Sequence, residues 1–157
     1  MFKKICILLF VVFLPHLVMA QEPMVLPVDQ TPLVIETDNG KVDYQVEIAQ
    51  SPDEREKGLM YRTDLPSNRV MLFKFDQLTP VSMWMANTPL SLDMLFINEE
   101  GVVVSTAQST TPFSHVIISS VFPVRYVIEL NAGQIKQNNI TTGNRVIHPA
   151  ITGALKD

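Results

Sequence analysis

The stretch Thr79–Asn98, TPVSMWMANTPLSLDMLFIN, constrains the fold more than any other part of the chain. Apolar side chains recur on both faces of its two halves, a pattern typical of strands that are buried on both sides. The polar sequence Asn87-Thr88-Pro89 separates the halves and indicates a corner. One charge, Asp93, interrupts the second half, and a buried carboxylate needs hydrogen bonds or a counter-charge. We therefore expect a buried strand pair whose acidic residue is answered from elsewhere in the chain.

Short strands separated by turn signals recur through most of the sequence. Residues 42–48 and 124–131 alternate between apolar and polar side chains, which predicts strands with one buried and one wet face. Other predicted strands cover residues 33–36, 71–75, 81–86, 92–97, 102–107, 116–118 and 144–148. We expect a mainly β fold, a single sandwich-like or partly closed barrel domain of about seven to nine short strands with one or two short helices.

One helix has clear local signals. Ser51-Pro52-Asp53-Glu54 combines a Ser cap, Pro at the first helical position and Glu three residues after the cap. Gly58 is predicted to end this helix after about two turns. A weaker short helix is predicted over residues 134–138. Residues 33–157 are assigned to the single β domain, and residues 21–32, which contain three prolines, to an extended leader.

The first twenty residues have the pattern of a secretory signal peptide. Lys3 and Lys4 precede an apolar run from Ile5 to Leu14, and small residues precede a cleavage point after Ala20. The run is too short for a comfortable membrane span. We expect an exported protein, periplasmic or secreted, with no membrane insertion after cleavage. An uncleaved N-terminal anchor is the alternative.

Composition excludes several kinds of function. The chain has 12 Lys and Arg against 16 Asp and Glu, a net charge of −4, so no basic surface for nucleic acid is expected. The one cysteine, Cys6, lies in the predicted signal peptide, which excludes disulfides and thiol nucleophiles from the rest. His115 and His148 follow no acidic ligand pattern. We predict no metal site and no cofactor.

Several short motifs follow one another in a specific order. They are Glu54-Arg55, Gly58-Leu59-Met60, Leu65-Pro66, Met71-Leu72-Phe73, Trp84-Met85, Asn87-Thr88, Leu92-Asp93-Met94 and Glu129-Leu130-Asn131-Ala132-Gly133. This arrangement resembles the bacterial and archaeal family called domain of unknown function 192, over about residues 33–148. The resemblance implies a compact, mostly β sandwich-like domain, often behind a signal peptide, and no established reaction. Two positions depart from the family pattern: Val70 replaces the usual Gly and Ala86 the usual Lys. If that lysine carries an activity in the family, this chain lacks it or has moved it.

Asp93 and Arg62 are the first two candidate site residues. A buried carboxyl such as Asp93 can act as a general acid or base with a raised pKa. The structural alternative, which we favour, is an acceptor for backbone N–H groups of residues 87–90 or a partner for Arg62. Arg62 follows an apolar helix exit, and its guanidinium can hold Asp93 with two bonds or bind an anionic ligand.

Four further residues have two interpretations each. Trp84 is either a core residue, which we favour, or a platform on which a flat ligand stacks. Asn87 and Thr88 either shape a turn or bind a ligand. Glu129, on the polar face of its strand, forms a solvated ion pair or is a second carboxylate of a pocket. With Asp93 it would form a hydrolase-type pair only if the two carboxylates converge.

The sequence leaves three hypotheses about function. The first is an exported, non-catalytic module that binds an unknown small molecule or an envelope protein. Its predicted pocket consists of Arg62, Trp84, Asn87, Thr88, Asp93 and Glu129. The second is a hydrolase-type enzyme of the cell envelope that uses Asp93 as acid or base. The third is a purely structural or interaction domain. No motif names a ligand or a reaction.

Overall fold

A curled sheet of seven strands dominates the computed structural model, which describes residues 21–153. The predicted signal peptide and residues 154–157 lie outside the described residues. The strands are β1 Leu33–Thr37, β2 Gly40–Ala49, β3 Arg69–Met83, β4 Leu92–Ile97, β5 Val103–Ala107, β6 Ile118–Asn131 and β7 Arg145–Ile147. The helices are α1 Pro52–Lys57, α2 Gln134–Gln137 and α3 Pro149–Thr152. None of these helices is long and apolar enough to cross a membrane.

The strand order β5-β4-β6-β3-β2-β1-β7 bends into a half-barrel. Neighbouring strands are antiparallel except for the parallel pair β2–β3. The two ends of the sheet meet at one bridge between Val102 and Arg145. Beside it, the N–H of Val146 donates to the carbonyl of Gly101 at 2.7 Å. The predicted mainly β, partly closed fold is confirmed, with one more short helix than the one or two expected.

Apolar side chains cover both faces of the central strands. The inner cluster fills the half-barrel and includes Leu33, Ile35, Tyr44, Val46, Val70, Leu72, Leu95, Ile97, Tyr126 and Ile128. The outer cluster lies on the opposite face under α1 and its exit, and includes Leu59, Leu65, Met71, Phe73, Met85, Leu92, Met94, Phe96 and Val127. All six residues of β4 are buried, as the two-sided pattern of residues 92–97 predicted.

Some predicted strands merge in the structure. The predicted strands 71–75 and 81–86 belong largely to β3, whose pairing with β6 shifts register between Lys74 and Thr79. The predicted strand 116–118 overlaps the start of β6. The two halves of Thr79–Asn98 do not pair with each other, because β4 lies between β5 and β6. The expected buried strand pair is therefore wrong in its pairing, although β4 is buried as expected.

The helix α1 forms as its local signals predict. The Oγ of Ser51 accepts from the N–H of Glu54 at 3.2 Å, and the Glu54 carboxylate accepts from the N–H of Ser51 at 2.8 Å. Gly58 follows with a φ of 45°, a region that favours glycine. A β-carbon at Gly58 would lie 3.1 Å from Cζ of Phe73. Glycine therefore allows the chain that leaves α1 to cross closely over β3.

The predicted leader, residues 21–32, runs extended along the domain. Val28 forms an isolated bridge with Glu47, and the N–H of Asp29 donates to the carbonyl of Val46 at 2.8 Å. Met24 and Leu26 pack against the outer cluster. These contacts cover the second half of β2, including the side that the sequence pattern assigned to solvent.

Candidate functional site

Asp93 is a structural acceptor that no solvent reaches. Its side chain is fully buried. Its two carboxylate oxygens accept from the N–H of Ser109 at 2.8 Å and the N–H of Ile135 at 2.9 Å. The donors therefore belong neither to residues 87–90 nor to Arg62, contrary to our expectation. Asp93 lies on the inner face of β4 together with Leu95, so its carboxylate meets the backbone of Ser109 and Ile135.

Arg62 is paired with Glu47 and not with Asp93. Its Nη1 lies 3.0 Å and 2.8 Å from the two oxygens of Glu47, and both side chains are buried. The N–H of Leu26 donates to the same carboxylate at 3.2 Å. The alternating pattern placed Glu47 on a wet face, and residues 24–28 cover that face in the fold. Arg62 was predicted to line a pocket, but it lines neither of the two spaces described below.

Glu129 is buried on the outer face of β6, and the expected solvated ion pair is wrong. Its register partners are Met71 on β3 and Met94 on β4. Only 5% of the residue is exposed, and its Oε2 has no hydrogen-bond partner among the described residues. Because Asp93 pairs with Leu130, one position along, the Asp93 and Glu129 side chains lie on opposite faces. The two carboxylates do not converge.

Burial changes the protonation of Glu129. Desolvation disfavours the charged form and raises the pKa of this carboxyl to about 8. At pH 7 Glu129 therefore holds its proton. A neutral carboxyl can donate one hydrogen bond and accept others, and it can ionise when a cation approaches.

An inner cavity of about 210 Å³ opens in front of Glu129, between α1 with its exit and the end of β3. The residues that line it are Arg55, Glu56, Lys57, Gly58, Leu59, Met60, Phe73, Phe75, Ser82, Met83, Trp84, Thr88 and Glu129. Gly58 keeps this space open, since a β-carbon there would lie 3.9 Å from Oε2 of Glu129.

An outer cleft of about 740 Å³ lies beside the inner cavity. Its lining residues are Gln21, Glu22, Met24, Asp53, Glu56, Lys57, Met60, Tyr61, Trp84 and Asn87. Four of them, Glu56, Lys57, Met60 and Trp84, also line the inner cavity. The two spaces therefore share a common wall of side chains.

Trp84 stands at this boundary and is not a core residue, contrary to the interpretation that we favoured. It is 45% exposed and contributes to the lining of both spaces. The reason is that β3 ends at Met83, so Trp84 leaves the sheet while Met85 returns to the outer cluster.

Asn87 lines the outer cleft and Thr88 lines the inner cavity. Asn87 has a φ of 57°, and its carbonyl accepts from the N–H of Tyr61 at 2.7 Å, where Tyr61 itself has a φ of 63°. A bulky residue in this region is uncommon and signals a constrained backbone. Thr88 is buried, and its hydroxyl donates to the carbonyl of Ala86 at 3.2 Å. The hydrogen bond between Tyr61 and Asn87 connects the α1 exit to the β3–β4 loop.

The fold thus brings together four of the six predicted site residues, namely Trp84, Asn87, Thr88 and Glu129. Sequence reasoning missed the other lining residues, among them Lys57, Met60, Phe73, Phe75 and Met83. The apolar sequence that follows Gly58 was the one available signal. Within residues 21–153, no three His, Cys, Asp or Glu side chains are grouped as metal ligands.

Comparisons with known proteins agree with the fold. The model of the family DUF192, described as uncharacterized ACR, matches residues 34–148. A crystal structure of a candidate transcription regulator from Sinorhizobium meliloti 1021 is 42% identical, with a TM-score of 0.74 over 76% of this chain and 93% of that one. A protein of unknown function from Novosphingobium aromaticivorans DSM 12444 is 27% identical, with a TM-score of 0.75 over 82% of this chain and 94% of that one. No curated protein matches the chain. The chain belongs to the DUF192 family.

Proposed function

We propose that this protein is a binding module that holds a small molecule in the inner cavity and outer cleft. The observation that carries the proposal is the Glu129 side chain, which lines the inner cavity and whose buried Oε2 has no hydrogen-bond partner among the described residues. Buried polar groups in native proteins are nearly always paired, so an unpaired one calls for an explanation. A ligand that reaches Glu129 supplies the missing partner.

The lining of the two spaces supports the same conclusion. Small-molecule sites are concave and mainly apolar, with a few polar groups that orient the ligand. The inner cavity has this character, since apolar side chains such as Phe73, Phe75 and Met83 line it together with a few charged residues, Glu129 among them. The outer cleft has a volume in the range of about 300–1,000 Å³ that ligand sites usually have.

The hydrolase alternative has less support. Both oxygens of Asp93 accept backbone N–H groups in the core, so Asp93 is not positioned to exchange protons with a substrate. The Asp93 carboxylate does not face Glu129, because the two side chains lie on opposite faces of the sheet. A glycosidase-type mechanism needs two carboxyl groups that flank the substrate. The relative from Sinorhizobium meliloti is described as a candidate regulator of transcription. The net charge of −4 does not support nucleic-acid binding by this chain.

The export of the protein is part of this proposal. It rests on the signal-peptide pattern of residues 1–20. We expect the periplasmic or secreted protein to begin at Gln21 when its N-terminus is determined by mass spectrometry. Full-length protein recovered with the membranes would contradict cleavage and favour an anchor.

Trp84 provides a direct test of binding because it is the one tryptophan of the chain. Its fluorescence reports occupancy of the cleft that it lines. A library of small polar and amphiphilic compounds is titrated, and at least one is expected to change the fluorescence saturably and raise the melting temperature. Glu129→Gln should weaken that compound at least tenfold.

Phe122→Ala is the matched control, since Phe122 is an aromatic residue that is 54% exposed and lines neither space. This variant should bind as the wild type does. The proposal would be overturned if no compound in the library changed the Trp84 fluorescence. It would also be overturned if Glu129→Gln and Phe122→Ala changed the affinity of a ligand equally.

A further inference from the structure

The inner cavity is small and mainly apolar, and the Glu129 side chain lines it. Its volume of about 210 Å³ is below the range of about 300–1,000 Å³ that is usual for drug-sized ligands. Its apolar wall is contributed by Met60, Phe73, Phe75 and Met83. A slender aliphatic chain suits such a space, with one polar group at the end that meets Glu129.

The outer cleft, which shares part of its wall with the inner cavity, carries more acid than base. Its lining contains three acidic residues, Glu22, Asp53 and Glu56, against Lys57 and the terminal amino group that cleavage after Ala20 leaves on Gln21. Clefts lined by one sign of charge raise the local concentration of ligands of the opposite sign. The balance of charge favours a cationic ligand over an anionic one.

Arg55 also lines the inner cavity, and it is already engaged. Its Nη1 donates to the carbonyl of Lys74 at 2.9 Å, and its Nη2 lies 3.3 Å from Oδ2 of Asp76. Its guanidinium also lies over the ring of Phe75, 5.4 Å from the centroid. Arg55 and Lys57, the two basic residues that line the inner cavity, form no ion pair with Glu129 among the described residues, so a cationic ligand can pair with it.

We propose that the inner cavity binds a primary aliphatic amine, with the ammonium group on Glu129 and the methylene chain against the apolar wall. This inference rests on the proposed binding function and names its ligand class. An ammonium group has three donors and no acceptor, so it is suited to a carboxylate. The rings of Phe73 and Trp84, which line the cavity, add attraction for a cation that comes within about 6 Å of a ring.

The proton balance of binding is specific. In the empty cavity Glu129 is protonated at pH 7, because burial raises its pKa to about 8. The amine arrives as an ammonium ion, since its pKa is close to the value of about 10.4 for lysine. Binding transfers the Glu129 proton to solvent and leaves an ion pair. Affinity is therefore expected to rise about tenfold for each pH unit between 6 and 8 and then to level off.

The experiment titrates Trp84 fluorescence with n-butylammonium chloride at pH 6, 7, 8 and 9. The controls 1-butanol and N-butylacetamide keep the aliphatic chain and lack the charge. We expect saturable binding of the ammonium, the stated rise with pH and at least tenfold weaker binding of both controls. Glu129→Gln should remove the pH dependence and weaken the ammonium at least tenfold. Phe122→Ala, at an aromatic residue that lines neither space, should bind it as the wild type does.

The outcomes separate the ligand class from the binding function. Glu129-dependent binding of the neutral controls, with affinity that falls above pH 8 and no binding of butylammonium, would overturn the amine and leave the binding cleft. Equal binding of butylammonium to the wild type and Glu129→Gln would also overturn the amine. If neither these probes nor the compound library changes the Trp84 signal, both proposals fail.

Discussion

Asp93 and Glu129 are two buried carboxyl groups on adjacent strands, and they differ in almost everything except their burial. They occupy neighbouring positions in the β4–β6 register, with Asp93 beside Leu130 and Glu129 beside Met94. Asp93 lies on the inner face and accepts two backbone N–H groups. Glu129 lies on the outer face, and its Oε2 has no partner among the described residues. The comparison shows that the partners of a buried carboxyl, and not its burial, indicate whether it serves the fold or a ligand.

The outer face can satisfy a carboxylate where the fold requires it. Glu47 lies on that same face and is held by Arg62 and by the N–H of Leu26. An unpaired carboxyl is thus not a general property of this side of the sheet. The difference between Glu47 and Glu129 is that a cavity, and not a protein donor, faces Glu129.

The largest effect is expected where a satisfied pair is broken. Arg62→Ala leaves the buried Glu47 carboxylate with only the more distant Arg69 as a counter-charge, which should lower the free energy of unfolding by about 3–5 kcal/mol. Urea-induced unfolding measures the change. Arg69→Ala is the matched control, because its Nη1 lies 3.8 Å from Glu47 and the side chain is partly exposed. Equal losses in the two variants would show that Glu47 does not depend on Arg62.

Removing the carboxyl of Asp93 comes next in size. Asp93→Ala deprives the N–H groups of Ser109 and Ile135 of their acceptor and should cost about 2–4 kcal/mol of stability. Asp93→Asn retains one acceptor oxygen and should lose less. Neither variant should change ligand binding at the Trp84 cleft when it is measured well below the melting temperature. A stable Asp93→Ala protein with lost binding would reverse the roles that we assign to the two carboxyls.

Glu129 should make the free energy of unfolding depend on pH, with a sign opposite to the one that an ordinary paired carboxylate gives. The unfolded chain releases this proton near the ordinary pKa of 4.5, whereas the folded protein holds it until about pH 8. The folded state binds more protons in this interval, so its stability falls as pH rises from 4.5 to 8, by up to about 1.4 kcal/mol per pH unit.

Unfolding measured at pH 6 and pH 7 tests this sign. Glu129→Gln should abolish the contribution and leave a shallower curve than the wild type. A wild type and a Glu129→Gln protein with the same pH dependence would contradict the buried, protonated state of Glu129.

The smallest effect is expected at the cap of α1, which forms one wall of the inner cavity. Ser51→Ala removes the acceptor of the Glu54 N–H and should cost about 1 kcal/mol. Thermal unfolding measures the loss. Ser67→Ala, at an exposed turn, serves as control and should stay within about 0.5 kcal/mol of the wild type. A change at Ser67 as large as that at Ser51 would argue against the cap.

Local signals predicted the elements well, because they depend on residues close in the chain. The capping box at Ser51, the stop at Gly58 and the alternation of residues 42–48 each concern a few neighbouring positions. The mainly β fold and the two-sided burial of β4 follow from such patterns. The order of strands did not follow, since β3 pairs with β6, a strand that begins more than thirty residues later.

The partners of the buried charges were not predictable for the same reason. Apolar and polar side chains alternate around Glu47 and Glu129, which predicted that both would face solvent. In the fold, each is covered by a segment that is distant in sequence. Residues 24–28 cover Glu47, and the exit of α1 covers Glu129. The exposure of Trp84 depends on where β3 ends, which its apolar flanks did not indicate. Tertiary contacts thus decide which predicted site residues share a cavity.

The most direct test of this account is the pKa of the Glu129 side chain itself. The carboxyl carbon, labelled with ¹³C and assigned by comparison with Glu129→Gln, is followed by NMR as pH is raised from 4 to 10. We expect a titration near pH 8 in the free protein and a lower midpoint when n-butylammonium is bound. A midpoint near 4.5 in the free protein would show a solvated or paired carboxylate and would contradict a buried, protonated Glu129.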